Sequence, residues 1–136
     1  QIPVAYIIDV IPGEIDDFYV LLAGNLTYVI VPLLYLIISE PWHLFLLQAA
    51  YGFGAALAYP TWSALFTRHI DEGKEAMEWG TYHMLSDLGG AAAASAGGII
   101  AGLYGFDSVF ILSSAIAFIG CMTLLFLRRY KMLYTE

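Results

Sequence analysis

Positive charge is scarce in this chain: five Lys plus Arg stand against twelve Asp plus Glu, a net charge of −7 over 136 residues. A nucleic-acid binder needs clustered Lys and Arg on one face, so that class is excluded. Charge of either sign is low, at 12%, where a soluble domain carries about 25%. A single cysteine, Cys121, excludes a disulfide framework and any Cys-based zinc site. No Lys or Arg precedes Arg68, so the apolar start lacks the basic segment that opens a signal peptide. What fills the chain instead is apolar: 60% of the residues are hydrophobic and thirteen are glycine. Glycine is commoner in membrane helices than in soluble ones. The solvent for most of this sequence is lipid.

The apolar runs have bilayer lengths. A spanning helix needs roughly 20 mostly apolar residues, and four segments qualify: 18–39, 42–67, 79–104 and 108–127. A shorter stretch, 2–11, is too short to cross alone and holds Asp9. The expected fold is therefore all-α, a polytopic transmembrane bundle of four spanning helices plus an N-terminal stub, in one domain over 1–136. Because the chain opens inside an apolar stretch on Gln1, the stub is expected to be the tail of a longer helix, and the chain a C-terminal portion of a longer protein.

Topology follows from the few basic residues. Arg68 and Lys74 fall between the second and third spans, and Arg128, Arg129 and Lys131 follow the fourth. With four spans both groups lie on one side, which the positive-inside rule makes cytoplasmic. The opposite turns, around Glu40-Pro41 and Gly105-Phe106-Asp107, contain no Lys or Arg. They are short enough to make consecutive spans antiparallel neighbours: one with two, three with four. Gly105 is expected to end a helix, and Asp107 or Ser108 to cap the next.

Inside the spans, small and polar residues recur at helical spacing. On the second span Gly52, Ala56, Pro60, Ser63 and Thr67 form a small-residue face suited to close helix packing. Neighbouring helices satisfy the carbonyl that Pro60 frees. Gln48, Tyr51, Tyr59 and Trp62 add hydrogen-bonding and stacking groups. On the third span Gly80, His83, Asp87, Gly90, Ala94, Gly98 and Ala101 share a stripe, flanked by Gly89, Ala93 and Gly97. A helix so rich in glycine has weak propensity of its own and is expected to face protein.

His83 and Asp87 are the residues with chemistry to explain. An ionisable side chain within a span faces a cavity or a partner, because a charge in hydrocarbon costs several kcal/mol. Their i, i+4 spacing allows an Asp–His pair able to take up and release protons. The competing assignment leaves both hydrated at the interface, His83 being one turn past Trp79. His43 and His69 lie at span ends and are expected to be interfacial. Glu72, Glu75 and Glu78 are expected to form a solvated face without a metal. Asn25, Tyr28, Pro32 and Tyr35 on the first span line either a pathway or a helix contact. No nucleophile, metal cluster or cofactor motif is present, so neither an enzyme nor a bound cofactor is expected.

Three stretches resemble a family. Ala5-Tyr6-Ile7-Ile8-Asp9 with Pro12-Gly13 is similar to the loop motif GxxxD(R/K)xGRR, although Val10 replaces the basic residue and the Arg pair is absent. Gly52-Phe53-Gly54-Ala55 through Tyr59-Pro60 resembles a tenth helix, followed by a polar loop and Trp79-Gly80. Gly89, Ala93-Ala94 and Gly97-Gly98 keep the spacing of a GxxxGPxxGG pattern. Together they resemble the C-terminal half of a major facilitator superfamily (MFS) transporter, from the end of its eighth helix to its twelfth.

That resemblance implies a secondary transporter moving a small solute by alternating access, coupled to protons through Asp87. The tenth and eleventh helices would line the pathway, which favours Gln48, Tyr51, Tyr59, His83 and Asp87 over Asn25 and Tyr28. Gly52, Pro60, Gly89, Gly90, Gly97 and Gly98 would serve packing and gating, with Asp9 and Gly13 as the loop-motif remnant. The implied partners are the lipid bilayer, an N-terminal half outside this sequence, an unidentified small molecule and protons. The implied location is the plasma membrane, multi-pass, with a cytoplasmic C-terminus. The alternative class is a small membrane scaffold that associates through its Gly/Ala-rich faces.

Overall fold

A computed structural model describes the backbone of residues 14–134 and the side chains of residues 17–129. The stub at 2–11 and the motif residues Asp9 and Gly13 lie outside the described residues. Four helices account for nearly all of the rest: α1 (Glu14–Leu34), α2 (Pro41–Arg68), α3 (Glu75–Tyr104) and α4 (Phe106–Tyr134). At about 1.5 Å per residue, the 28 residues of α2 run about 42 Å, longer than a hydrocarbon core of about 30 Å. Segments of α1 (Asp17–Leu34), α3 (Glu75–Tyr104) and α4 (Phe106–Arg129) are long and apolar enough to cross a membrane. In α2 the apolar run is diluted by Gln48, Tyr51, Tyr59, Pro60, Thr61 and Trp62.

The helix ends differ from the expected spans for local reasons. α1 stops at Leu34 rather than near residue 39, because its final amides turn to i−3 partners, Leu36 to Leu33 and Ile37 to Leu34, tightening the last turn. α2 opens with Pro41 in its first turn, and the Glu40 amide donates to His43 Nδ1 at 3.4 Å. His43 thus has a capping role, with its ring 4.0 Å from that of Trp42. α3 begins four residues before the expected start, behind Gly73 at φ +82, whose amide donates to Glu75 Oε1 at 3.1 Å. Gly105 ends α3 at φ +84 and donates to the Ala101 carbonyl. α4 starts at once, on Phe106, so neither Asp107 nor Ser108 caps it. The Ser108 hydroxyl instead donates back to the Tyr104 carbonyl, 3.1 Å away.

Helix α1 is the hub: it packs against both α2 and α4, while α3 packs against α4. The adjacent pairs are those expected from the short turns, and the α1–α4 contact is additional. Buried residues of α1 recur three, four or seven apart, at Asp17, Leu21, Gly24 and Val31, the spacing of one helix face. They meet Gly54, Ala58 and Thr61 of α2 and Ser114 and Cys121 of α4. The α1–α2 crossing is close. A Cβ placed on Gly24 would lie 2.7 Å from the Gly54 carbonyl oxygen and 2.9 Å from the Ala58 Cβ. One placed on Gly54 would lie 2.7 Å from Thr27 Cβ and nearer still to its hydroxyl.

Gly52, expected to pack, faces open space instead. Two residues separate it from Gly54, about 200° around a helix, so only one of them can meet α1. Gly89, Gly90, Gly97 and Gly98 also have nothing within reach of an added Cβ. α3 buries no residue at all. α3 thus meets α4 and, through its rings, α2, but no described residue packs on its glycines.

Candidate functional site

The four helices alternate in direction, which gathers four chain ends at the side that holds residues 69–74. Three contacts tie those ends together. The Arg68 guanidinium at the end of α2 pairs with Asp17 in α1 at 2.6 Å. That carboxylate is only 4% exposed, so its charge is met almost entirely by the arginine and by the N-terminal end of its own helix. On α4, Arg128 lies 5.0 Å from the ring centre of Phe18 and 4.5 Å from that of Tyr19, within cation–π range. The third contact is a chain of rings. Phe66 of α2 meets Trp79 of α3 edge-on at 4.8 Å, and Tyr82 touches Phe66 at 5.3 Å and Trp62 at 6.0 Å. Halfway along the bundle a single polar bond crosses from α4 to α1, the Ser114 hydroxyl donating to the Val29 carbonyl at 2.6 Å.

Against this frame the singled-out residues divide by face. On α2, successive 100° steps put Gln48, Tyr51, Gly52, Ala55, Tyr59, Trp62 and Phe66 on one side. The buried Gly54, Ala58 and Thr61 lie about a quarter turn or more away, toward α1. Gln48, Tyr51 and Tyr59 are exposed, so the polar-aromatic stripe of α2 is open from 48 to 59, while the rings of α3 cover Trp62 and Phe66. Tyr51 also meets Tyr28 of α1, ring centres 4.9 Å apart, which makes Tyr28 a packing residue at the edge of that stripe. Asn25 is turned onto its own helix, its amide donating to the Leu21 carbonyl at 2.9 Å. Helix α2 passes through Pro60 unbroken, and the following Thr61 hydroxyl donates to the Leu57 carbonyl at 2.8 Å.

On α3, His83 and Asp87 are both exposed. The Asp–His pair that their spacing allows is not formed. His83 stacks on Trp79 instead, ring centres 5.5 Å apart and planes 24° from parallel. Asp87 has no hydrogen bond or ion pair among the described residues. It lies twelve residues past Glu75, the start of the helix, or about 18 Å along the axis. Further along, Gly97, Gly98, Ala101 and Gly102 form the floor of an open groove of about 440 Å³, walled by Phe106 and Val109 of α4.

Several of these features are absent from the sequence expectations. The Asp17–Arg68 pair joins residues 51 positions apart, a separation that carries no local signal. The glycines that matter for packing are Gly24 and Gly54. Position 54 lies two residues after the expected one, in the GxG of residues 52–54. Glu75 and Glu78 do lie on the solvated face, where their carboxylates accept from the Gly73 and Asp71 amides. Among the described residues no group of three or more His, Cys, Asp or Glu is placed to hold a metal.

Every exposed stripe here is embedded in apolar surface: Phe45, Phe53, Leu85, Leu88, Ile99 and Phe118 are all at least half exposed. A surface of that kind is covered by lipid or by further protein. Compared with known proteins, residues 1–134 match the family model described as Major Facilitator Superfamily. No curated protein and no solved structure matches the chain.

Proposed function

The chain belongs to the Major Facilitator Superfamily of membrane transporters, and from that premise we propose that it serves proton-coupled movement of a small solute. In this proposal α2 and α3 line the pathway. Gln48, Tyr51 and Tyr59 offer hydrogen-bonding and stacking groups to the solute, and Asp87 takes up and releases the proton, with His83 beside it. Access alternates by rocking of this half against a second half around a midplane site, and that second half covers the glycine-rich face of α3. Gly52, Gly89, Gly90, Gly97 and Gly98 then act as sliding surface. The basic residues Arg68, Lys74, Arg128 and Arg129 orient the 69–74 end and the C-terminus toward the cytoplasm of a plasma membrane.

The observation that carries this proposal is the carboxylate of Asp87. It sits deep in a helix of spanning length without a partner among the described residues, where an aspartate costs about 2.5–3.5 kcal/mol at the centre of a membrane helix. A carboxyl group in that setting binds a proton or faces water, and both suit a proton-coupled pathway. The test is Asp87→Asn in the complete transporter, reconstituted in vesicles with an imposed pH gradient. Gradient-driven solute movement is expected to be lost while solute exchange without a gradient persists. Unchanged gradient-driven transport at several pH values refutes the role of Asp87.

A further inference from the structure

Helix α3 buries none of its residues, and its ring contacts with α2 are concentrated at the 69–74 end. There Trp79 holds the central position. It meets Phe66 of α2 at 4.8 Å with planes 73° apart, and Tyr82 at 5.6 Å and 88°. On its remaining side lies His83, 5.5 Å away and nearly parallel. The imidazole is thus the outer layer of a ring stack whose inner layers join two helices. His83 is exposed on this part of the bundle, and imidazole is the side chain type that changes charge between pH 5 and 8.

The surrounding charges are committed elsewhere. On α2, Arg68 pairs with Asp17 and His69 Nδ1 lies 2.8 Å from the Leu65 carbonyl. On α3, the carboxylates of Glu75 and Glu78 accept from loop amides, and Asp87, one turn on, makes no ion pair with His83. In the connecting loop Lys74 pairs with Asp71. On α4, Arg128 lies over Phe18 and Tyr19, and Arg129 forms no ion pair among the described residues.

We propose that the Trp79–His83 stack is a proton-sensitive latch between α2 and α3. When His83 is protonated, a cation lies against the indole face and the attraction between the two rings strengthens. Trp79 is then held in the orientation that contacts Phe66, and α2 and α3 stay together at the 69–74 end. As pH rises and His83 loses its proton, the stack weakens and this end opens more readily. At an exposed site the interaction corresponds to a two- to fivefold change in the closed-to-open ratio. The latch is a property of the helices whatever solute they move, so its test does not depend on transport.

The test places spin labels on the complete transporter at Thr67→Cys of α2 and Met84→Cys of α3, in lipid nanodiscs, and compares distance distributions at pH 5 and pH 8. The short-distance population is expected to be two- to fivefold larger, relative to the long one, at pH 5. His83→Gln removes this pH response, and His83→Arg, charged throughout, keeps the short-distance population high at both pH values. The latch is overturned by a distribution that does not change with pH or by a response that survives His83→Gln. Failure of His83→Arg to hold the closed population at pH 8 also overturns it.

Discussion

The α1–α2 crossing makes opposite predictions for two glycines that lie two residues apart. At Gly54 an added methyl meets Thr27, with the Thr27 Cβ at 2.7 Å and Cγ2 at 2.8 Å, contacts that real side chains do not tolerate. Relief requires the helices to move apart, and overpacking of this kind costs roughly 1–3 kcal/mol. Alanine recovers roughly 0.8–1.0 kcal/mol of helix propensity over glycine. With contacts this short the upper part of the overpacking range applies, so Gly54→Ala is expected to destabilise by a net of about 1–2 kcal/mol. At Gly52 the added methyl meets nothing within 4 Å. Only the propensity gain remains, and Gly52→Ala is expected to be neutral or stabilising by up to about 1 kcal/mol.

The assay is thermal unfolding in detergent, followed by the loss of monodisperse protein on size exclusion, for both single variants and for combinations with Thr27. Thr27→Gly removes the three atoms nearest to the Gly54 methyl, so in that background Gly54→Ala loses most of its penalty. Thr27→Ala relieves it only in part, because its Cβ stays. A coupling of this sign between positions 27 and 54, absent between 27 and 52, is what direct contact requires. The packing argument fails if Gly54→Ala unfolds at the temperature of the parent, if Thr27→Gly does not rescue it, or if Gly52→Ala is equally damaging.

Two other interhelical contacts give further expectations. Asp17→Asn leaves Arg68 without its anion. Because Asp17 is nearly buried and Arg68 is 39% exposed, the loss is expected below the 3–5 kcal/mol of a fully buried pair, at about 1–3 kcal/mol. The double variant Asp17→Asn/Arg68→Gln should unfold at a temperature close to that of the worse single variant, and additive losses would show that the two side chains do not interact. Ser114→Ala removes the bond to the Val29 carbonyl, and interhelical hydrogen bonds in membranes average about 0.6 kcal/mol with a maximum near 1.7. A small decrease in unfolding temperature is expected, and Ser114→Thr, which keeps the hydroxyl, should retain more of the bond than alanine does.

The features legible in the sequence are those set over one helix length or less. The lengths of apolar runs, the turns at Glu40-Pro41 and Gly105, and the alternation of chain direction each depend on neighbouring residues; the helices begin and end near those turns, while α4 runs on to Tyr134, seven residues past the apolar run. Where an end moved, the cause was equally local: i−3 hydrogen bonds shorten α1, and Gly73 with the Glu75 carboxylate starts α3 early. The open stripe of Gln48, Tyr51 and Tyr59 was also readable, since helical periodicity alone puts these residues on one side. The His83–Asp87 contact was not. Spacing makes the two neighbours, but Trp79 lies an equal distance before His83, and the ring plane decides between them.

By itself the sequence determined that this chain belongs in lipid, where its four described helices run and which of their ends share a side. Those properties follow from composition and from rise per residue, and they need no knowledge of neighbours. Only the tertiary structure decided which side of each helix is inward. Rotation about a helix axis is set by which faces interlock, and two residues of sequence correspond to about 200° of it. That is why Gly54 lies at the crossing and Gly52 does not, and why Asp17 meets an arginine 51 positions away. It is also why no described residue packs on the glycines of α3. Whatever packs on them supplies a surface that no local pattern in these 136 residues specifies.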